Sequence, residues 1–116
     1  MPQRRKVPRN PAALDLIQRI NLPLENIAEK LLRDAYEQKS DDPRTINNLA
    51  LVLGLKGKTE ECMTLLRKLG DESDALANMA YIRAQRGEKD LARELYAEAL
   101  ELNPNLNEAK QALSRL

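Results

Sequence analysis

The sequence predicts an all-α protein, an α-solenoid of about three stacked helical hairpins with a C-terminal capping helix. Its 116 residues are rich in Leu, Ala, Glu, Arg and Lys, which form helices readily, and include no Phe or Trp. The chain also repeats itself at a spacing of thirty: Asn48, Ala50, Gly57 and Leu65 return as Asn78, Ala80, Gly87 and Leu95. Single hairpins of this size cannot bury their apolar faces alone, so we expect them to stack into a continuous core.

A second spacing fixes the boundaries of the repeated units. Residues 31–33, Leu-Leu-Arg, recur as residues 65–67, which is a spacing of 34. Both spacings fit one frame: a basic flexible arm (1–9), then a single domain (10–116) made of a degenerate repeat (9–42), a shortened repeat (43–72), a complete repeat (73–106) and a capping helix (107–116). The middle repeat is short by about one helical turn, so we expect its second helix to end early.

Each repeat contains two helical segments separated by a helix-breaking residue. Gly57 and Gly87 lie at the two clearest breaks, where glycine can adopt the left-handed conformation that ends a helix. Asn103-Pro104 stops the complete repeat, because the residue before proline is pushed out of the α region. Thr59 could cap its helix through the side-chain hydroxyl. The predicted helices cover 10–20, 24–39, 43–56, 59–69, 74–86, 89–102 and 107–116.

These residues resemble the tetratricopeptide repeat (TPR) family, whose two helices carry bulky and small residues at set positions. The complete repeat matches that pattern best, through Leu76, Met79, Ala80, Gly87, Ala92, Tyr96, Ala99 and Pro104. It departs at Arg83, where the family prefers Tyr. The shortened repeat lacks the final small residue and the proline, and the degenerate repeat keeps only its second helix. The resemblance implies stacked hairpins and a protein-binding role.

Two segments carry a narrower resemblance. "NNLALVLGLKGK" and "ANMAYIRAQRGE" look like the short TPR domains of bacterial Tad (tight-adherence) pilus-assembly proteins. This implies a scaffold or assembly factor of a bacterial secretion or pilus machine. The compartment stays open: the cytoplasm, or the periplasm if the domain belongs to a longer exported protein.

The residue inventory argues against catalysis. The chain has no His, which excludes Ser/His/Asp and Cys/His nucleophile systems and zinc sites of the Cys/His type. Its four glycines are isolated, so no phosphate-binding loop is present. We therefore expect no enzymatic activity, no cofactor and no metal site. Cys62 falls on a small position of the repeat, and we expect a buried hydrophobe rather than a reactive thiol.

The net charge of +1 is unevenly distributed along the chain. Arg4, Arg5, Lys6 and Arg9 make the arm basic and leave the remainder mildly acidic. Such an arm is typical of a tail that touches nucleic acid or an anionic surface. The alternative is a solvated linker, which we favour because four charges without aromatic residues support little specific binding. We expect no nucleic-acid partner and, without an 18-residue apolar run, no membrane span.

The candidate binding residues come from the family resemblance, which implies that the first helices of the repeats line a concave groove. The outward positions of these helices are Arg44, Asn47, Asn48, Leu51 and Leu55 in the shortened repeat, and Asp74, Ala77, Asn78, Tyr81 and Gln85 in the complete repeat. The clamp with which some TPR domains grip the C-terminal carboxylates of heat-shock chaperones is incomplete here. The remaining mixture of amides and apolar side chains suits an extended or helical peptide.

The predicted function is therefore a non-enzymatic protein–protein interaction module that binds a peptide or helix of a partner in this groove. Two alternatives remain open. The N-terminal segment of the chain itself could cover Leu51 and Leu55. The protein could also be a self-associating structural unit, with Leu113 and Leu116 as the contacts of a weak homodimer.

Overall fold

The computed structural model describes residues 26–116, and over these residues the secondary structure is entirely helical. Helix α1 covers 26–38 and is followed by α2 (Pro43–Leu55), α3 (Thr59–Leu66), α4 (Glu72–Gln85), α5 (Lys89–Leu102) and α6 (Asn107–Arg115). Helices α2 and α3 form one hairpin, α4 and α5 form the next, and α6 packs against α5. The predicted all-α solenoid of helical hairpins is confirmed. The predicted arm over 1–9 and the predicted helix over 10–20 lie outside the described residues.

The two hairpin turns are built in the same way. Gly57 and Gly87 have φ angles of 87° and 83°, in the left-handed region that favours glycine. In each turn the amide after the glycine donates a hydrogen bond to the carbonyl five residues earlier, at 2.8 Å after α2 and 2.9 Å after α4. Both bonds satisfy carbonyls that the end of the helix would leave without a donor. The two predicted glycine breaks are therefore correct.

Helix α4 begins two residues before its predicted start because its N-terminus is capped. The Asp71 carboxylate accepts a hydrogen bond from the backbone N–H of Asp74 at 2.9 Å, and the Asp74 carboxylate accepts one from the backbone N–H of Asp71. Asp71 also accepts from the Ser73 hydroxyl at 2.7 Å. Together these bonds form a capping box, which satisfies amides at the start of the helix.

Helix α3 begins at Thr59 as predicted, but its N-cap and its end differ from the prediction. The predicted Thr59 cap is wrong: Lys58 occupies the N-cap position without a side-chain hydrogen bond, and the Thr59 hydroxyl accepts instead from Arg83 Nη2 at 2.7 Å. The α-helix ends at Leu66 rather than at Leu69. The backbone then tightens, because the amides of residues 68 and 69 bond to carbonyls three residues earlier.

The described core consists of two adjoining clusters. The larger is centred on α2 and joins it to α3 and α4 through the buried residues Ile46, Leu49, Ala50, Leu53, Cys62, Met63, Leu65, Leu66, Ala75, Met79 and Ile82. The smaller joins α4, α5 and α6 through Ala80, Tyr96 and Ala109. Fully buried alanines, including Ala80 and Ala92, let neighbouring helix backbones approach closely. The capping helix thus buries the last apolar face of the stack that the structure describes.

Helix α1 is held to the rest by a buried carboxylate as well as by apolar contacts. Glu29 is 8% exposed and accepts hydrogen bonds from Lys56 at 2.5 Å, Lys58 at 2.9 Å and Arg33 at 2.7 Å. These three cations lower the pKa of Glu29 from 4.5 to about 2. Leu32 and Tyr36 of the same helix pack on the larger core cluster. The turn after α2 is therefore held to α1 mainly by the ion pairs of Glu29 with Lys56 and Lys58.

Within residues 26–116, no helix combines the length and the apolar character that crossing a membrane requires.

Candidate functional site

A cleft of about 230 Å³ opens between α2 and α4, the first helices of two consecutive repeats; we call it the α2–α4 cleft. Its lining residues are Asn47, Leu51, Leu66, Asn78, Tyr81 and Ile82. Four of these had been predicted from the sequence as groove residues: Asn47, Leu51, Asn78 and Tyr81. The fold brings them together because they lie on the same outward face of two helices that pack side by side.

The α2–α4 cleft combines an apolar floor with polar side chains that form no hydrogen bond within the described residues. Leu66 and Ile82 belong to the core and form the floor, whereas Tyr81 is 53% exposed. The exposed side-chain amides of Asn47 and Asn78 form no hydrogen bond with any residue in 26–116, unlike those of Asn26 and Asn103. Within this part of the chain they are therefore free to bond to a ligand.

A second cleft, of about 320 Å³, lies on the other side of Tyr81, and we call it the α4–α6 cleft. Helices α4 and α5 contribute Ala77, Asn78, Tyr81 and Tyr96, while α6 contributes Glu108, Ala109, Gln111, Ala112 and Arg115. Asn78 and Tyr81 thus line both clefts and form the ridge between them. We refer to the two clefts and this ridge together as the groove.

From the sequence, α6 is predicted as a capping helix with no groove residue, so its contribution to the groove is an additional finding. The signal was present in the 34-residue spacing. It places Glu108, Gln111, Ala112 and Arg115 at the positions that Asp74, Ala77, Asn78 and Tyr81 occupy one repeat earlier. Helix α6 therefore corresponds to the first helix of a further unit, and its outward face continues the surface of α4.

Of the other predicted groove residues, Ala77 lines the α4–α6 cleft and the rest lie outside both clefts. The Asp74 side chain is engaged in the capping box of α4. Leu55 is 39% exposed at the end of α2. Arg44, Asn48 and Gln85 are exposed but line neither cleft. The alternative in which the N-terminal segment covers Leu51 and Leu55 concerns residues that the structure does not describe.

The residues of the predicted homodimer contact are less accessible than the groove. Leu113 and Leu116 both pack against the smaller core cluster and are only partly exposed. Tyr81, by contrast, presents more than half of its surface to solvent. Within the described residues, the groove therefore exposes more apolar side-chain surface to a partner than the end of α6 does.

The charges of the groove are concentrated on α6. Glu108 and Arg115 lie seven residues apart on one helix face, which is about 10 Å along the axis. Neither forms an ion pair with any described residue, whereas Arg83 and Arg93 pair with Glu88 at 3.0 Å and Asp90 at 2.6 Å. Arg115 is thus an exposed cation at the edge of a cleft, without a partner among residues 26–116.

Cys62 has the environment of a packing residue, as predicted. Its side chain is fully buried between α2 and α4, and burial raises its pKa to about 11. The nearby Arg83 charge lowers the pKa only in part. Over the described residues, no three His, Cys, Asp or Glu side chains are grouped so that they could hold a metal ion.

We expect Cys62 to resist thiol reagents while the protein is folded. At pH 8 a thiol with a pKa of about 11 is almost entirely protonated, and the reactive species is the thiolate. Because Cys62 is the single cysteine, the release of thionitrobenzoate from Ellman's reagent reports on it alone. Native protein should react far more slowly than protein in 6 M guanidinium. Complete labelling of native protein within minutes would contradict the buried, protonated state.

The comparisons with known proteins agree with this architecture. Residues 73–106 match the family model of the tetratricopeptide repeat, and these bounds are the ones predicted for the complete repeat. A search of the curated proteins and a search of the solved structures gave no match. Tetratricopeptide repeats are non-catalytic and generally mediate protein–protein interactions. The match supports the assignment of the α4–α5 hairpin, with the turn that follows it, to the tetratricopeptide repeat family.

Proposed function

We propose that this protein is a non-catalytic interaction module and that it binds a segment of a partner protein in the groove. The observation that carries the proposal is the α2–α4 cleft with the exposed Tyr81 ring at its edge. Large aromatic side chains beside a desolvated pocket are the usual centres of binding energy at protein interfaces.

The chemistry of the α2–α4 cleft suits a peptide better than a small polar metabolite. Leu51, Leu66 and Ile82 offer apolar surface to one side chain of a partner, and burying an aliphatic side chain there contributes about 1.5–3 kcal/mol. The amides of Asn47 and Asn78 can each donate to a backbone carbonyl and accept from a backbone N–H. Apolar pockets combined with main-chain hydrogen bonds are the usual basis of peptide recognition.

The groove does not favour nucleic acid. Its two clefts contain a single basic residue, Arg115, together with the acidic Glu108. Nucleic-acid binding depends on several Lys or Arg contacts to phosphates. A protein partner therefore fits the lining better.

The class of the partner follows only from the narrower resemblance of the sequence. The similarity of "NNLALVLGLKGK" and "ANMAYIRAQRGE" to Tad pilus-assembly proteins makes a component of a bacterial pilus or secretion machine the first candidate. The family model supports the repeat itself and does not extend to this role. We therefore use the pilus or secretion connection only to choose which candidate partners to test first.

The proposal predicts that the double variant Leu51→Asp, Tyr81→Ala loses its partner. Aspartate places a charge over the apolar floor of the α2–α4 cleft, and alanine removes the exposed ring, so binding should weaken by about 100-fold or more. Partners would be captured on immobilised protein, identified by mass spectrometry and then titrated in purified form by calorimetry.

The matched control is Leu102→Asp. Leu102 is also an apolar side chain, 59% exposed, but it lies at the end of α5 outside the groove. This variant should bind as the unchanged protein does, and circular dichroism should show the same helix content in all three proteins. If the groove variant is folded and keeps its partner while the control does too, binding takes place elsewhere and the groove proposal fails.

A further inference from the structure

We propose that the partner segment crosses α2, α4 and α6 in a polyproline II-like conformation and anchors two side chains three residues apart. An aliphatic side chain enters the α2–α4 cleft, and an acidic side chain reaches Arg115 in the α4–α6 cleft. This inference rests on the proposed groove function and adds to it the chemistry and the spacing of the bound segment.

The direction of crossing follows from the repeat register. Leu51, Tyr81 and Arg115 are equivalent positions of α2, α4 and α6, separated in the chain by the two repeat spacings of 30 and 34. A segment that follows this row meets an apolar residue, an exposed aromatic ring and a cation in succession. Because each of these three helices presents a different chemistry, the row fixes which side chain of the bound segment meets which helix.

The conformation follows from the distance between neighbouring helices. Helices α2 and α4 pack side by side, and α6 meets α4 in the smaller core cluster through Ala109 and Ala80. Packed helices are about 9 Å apart, so we take a similar distance between the two clefts on either side of Tyr81. In polyproline II the helix repeats every three residues with a rise of about 3.1 Å per residue, which places residues i and i+3 on one side about 9 Å apart. In a β-strand the same-side residues i and i+2 are only about 7 Å apart, and i and i+4 about 13 Å.

The acidic anchor follows from charge complementarity. Arg115 is exposed in the α4–α6 cleft and forms no ion pair with any described residue. Glu108 lies two turns away along α6, at the level of Asp74 rather than of Tyr81, so it is far from the row. A guanidinium at the edge of a cleft binds a carboxylate with charge-assisted hydrogen bonds. The opposite anchor meets Leu51, Leu66 and Ile82 and must be apolar.

The backbone of such a segment also finds partners. Polyproline II has no internal hydrogen bonds, so its carbonyl and N–H groups remain available. Asn47, Asn78 and Gln111 lie beside the row on the three helices, and their side-chain amides supply donors and acceptors. The exposed Tyr81 ring can pack against a proline or an aliphatic residue between the two anchors.

The test is a selection of phage-displayed random dodecapeptides on immobilised protein. The inference predicts that the enriched sequences share an aliphatic residue and an Asp or Glu that are three positions apart, in one constant order. With Arg115→Glu as bait, the acidic preference at that position should change to Lys or Arg, while the aliphatic preference stays. With Arg115→Gln the acidic preference should fall without reversing.

The matched control is Lys110→Glu, which reverses a charge on the same helix outside both clefts. It should select the same sequences as the unchanged protein. Synthetic versions of the enriched peptides should bind at least tenfold more weakly to the Arg115→Glu protein than to the Lys110→Glu protein, as measured by fluorescence polarisation.

The outcomes separate this inference from the proposed function. Enriched peptides that depend on Leu51 and Tyr81 but show no acidic preference, or a spacing of i and i+4 typical of a helix, overturn the inference and keep the groove. Enriched peptides whose preferences survive Arg115→Glu do the same. If no sequence is enriched on the unchanged protein, or if those selected are insensitive to Leu51→Asp, both proposals fail.

Discussion

Replacing Gly54 by valine is expected to destabilise the protein by about 3 kcal/mol, because the added carbons have no space. A Cβ at this position would lie 2.9 Å from both Cδ1 and Cγ2 of Ile82 and 3.0 Å from Sγ of Cys62. The Cγ2 atom is attached directly to the Ile82 Cβ and cannot swing away as a flexible chain end could. The α2, α3 and α4 backbones would have to separate. The melting temperature should fall by roughly 15 °C.

Two further variants make the Gly54 prediction specific. Gly54→Ala adds one carbon but gains helix propensity of about 1 kcal/mol, so its net cost should be smaller than that of valine. In the double variant Gly54→Val, Ile82→Ala, the alanine removes the obstructing carbons, so the two effects should be less than additive by at least about 1 kcal/mol. Strict additivity in a urea-unfolding cycle would show that the two residues do not compete for the same space.

The control for the Gly54 series is Ala97→Val. Ala97 lies in α5 with its side chain exposed, so valine there changes helix propensity without meeting another helix. Its effect on the free energy of unfolding should stay within about 0.5 kcal/mol. A comparable loss at both sites would attribute the Gly54 effect to the β-branched side chain rather than to crowding.

Gly54 also illustrates what the sequence could and could not reveal about the fold. The repeat spacings and the glycines at 57 and 87 were sufficient to predict the hairpins, because these signals are local and recur. Within α2, however, a glycine is only an unfavourable helix residue when judged locally. The reason for the glycine is the close approach of Ile82, which lies in another helix 28 positions away. No pattern in the sequence indicates that these two residues are in contact.

The candidate site was predictable to the same extent and for the same reason. Residues at repeated positions, such as Leu51 and Tyr81, were found because the repeat register places them on one face. Asp74 occupies such a position too, but its carboxylate caps its own helix. The repeat register predicts the helix face on which a side chain lies. Local hydrogen bonds then decide whether its polar atoms remain available to a ligand. Arg115 lies beyond the last complete repeat, in a helix too short to show the two-helix pattern by which the sequence reveals a repeat.

A second large effect is expected at Glu29, where Glu29→Gln should destabilise the protein by about 2–3 kcal/mol at pH 7. The glutamine keeps the shape but leaves Arg33, Lys56 and Lys58 without their shared anion. Like charges then face one another between α1 and the turn after α2. Because the Lys58 side chain is partly exposed, solvent screens some of this repulsion, so we expect less than the full effect of the pKa shift.

The pH dependence of the free energy of unfolding tests whether the charge of Glu29 is the cause of this loss of stability. The folded-state pKa of about 2 lies below the unfolded value of 4.5, so the unfolded chain binds the proton first as the pH falls. The stabilisation is therefore complete above pH 4.5 and is lost between pH 4.5 and 2. Urea unfolding at pH 6, 4 and 3 should show the difference between the unchanged protein and Glu29→Gln shrinking steadily across this series.

Glu37→Gln is the matched control, since Glu37 lies on the same helix, is exposed and forms no ion pair with any described residue. Its difference from the unchanged protein should be within about 0.5 kcal/mol at every pH. Other carboxylates with lowered pKa values, such as Glu72 and Glu88, titrate in both variants and cancel in the comparison. A Glu29→Gln deficit that stays constant from pH 6 to pH 3 would mean that α1 is held by packing through Leu32 and Tyr36, and that the ion cluster contributes little.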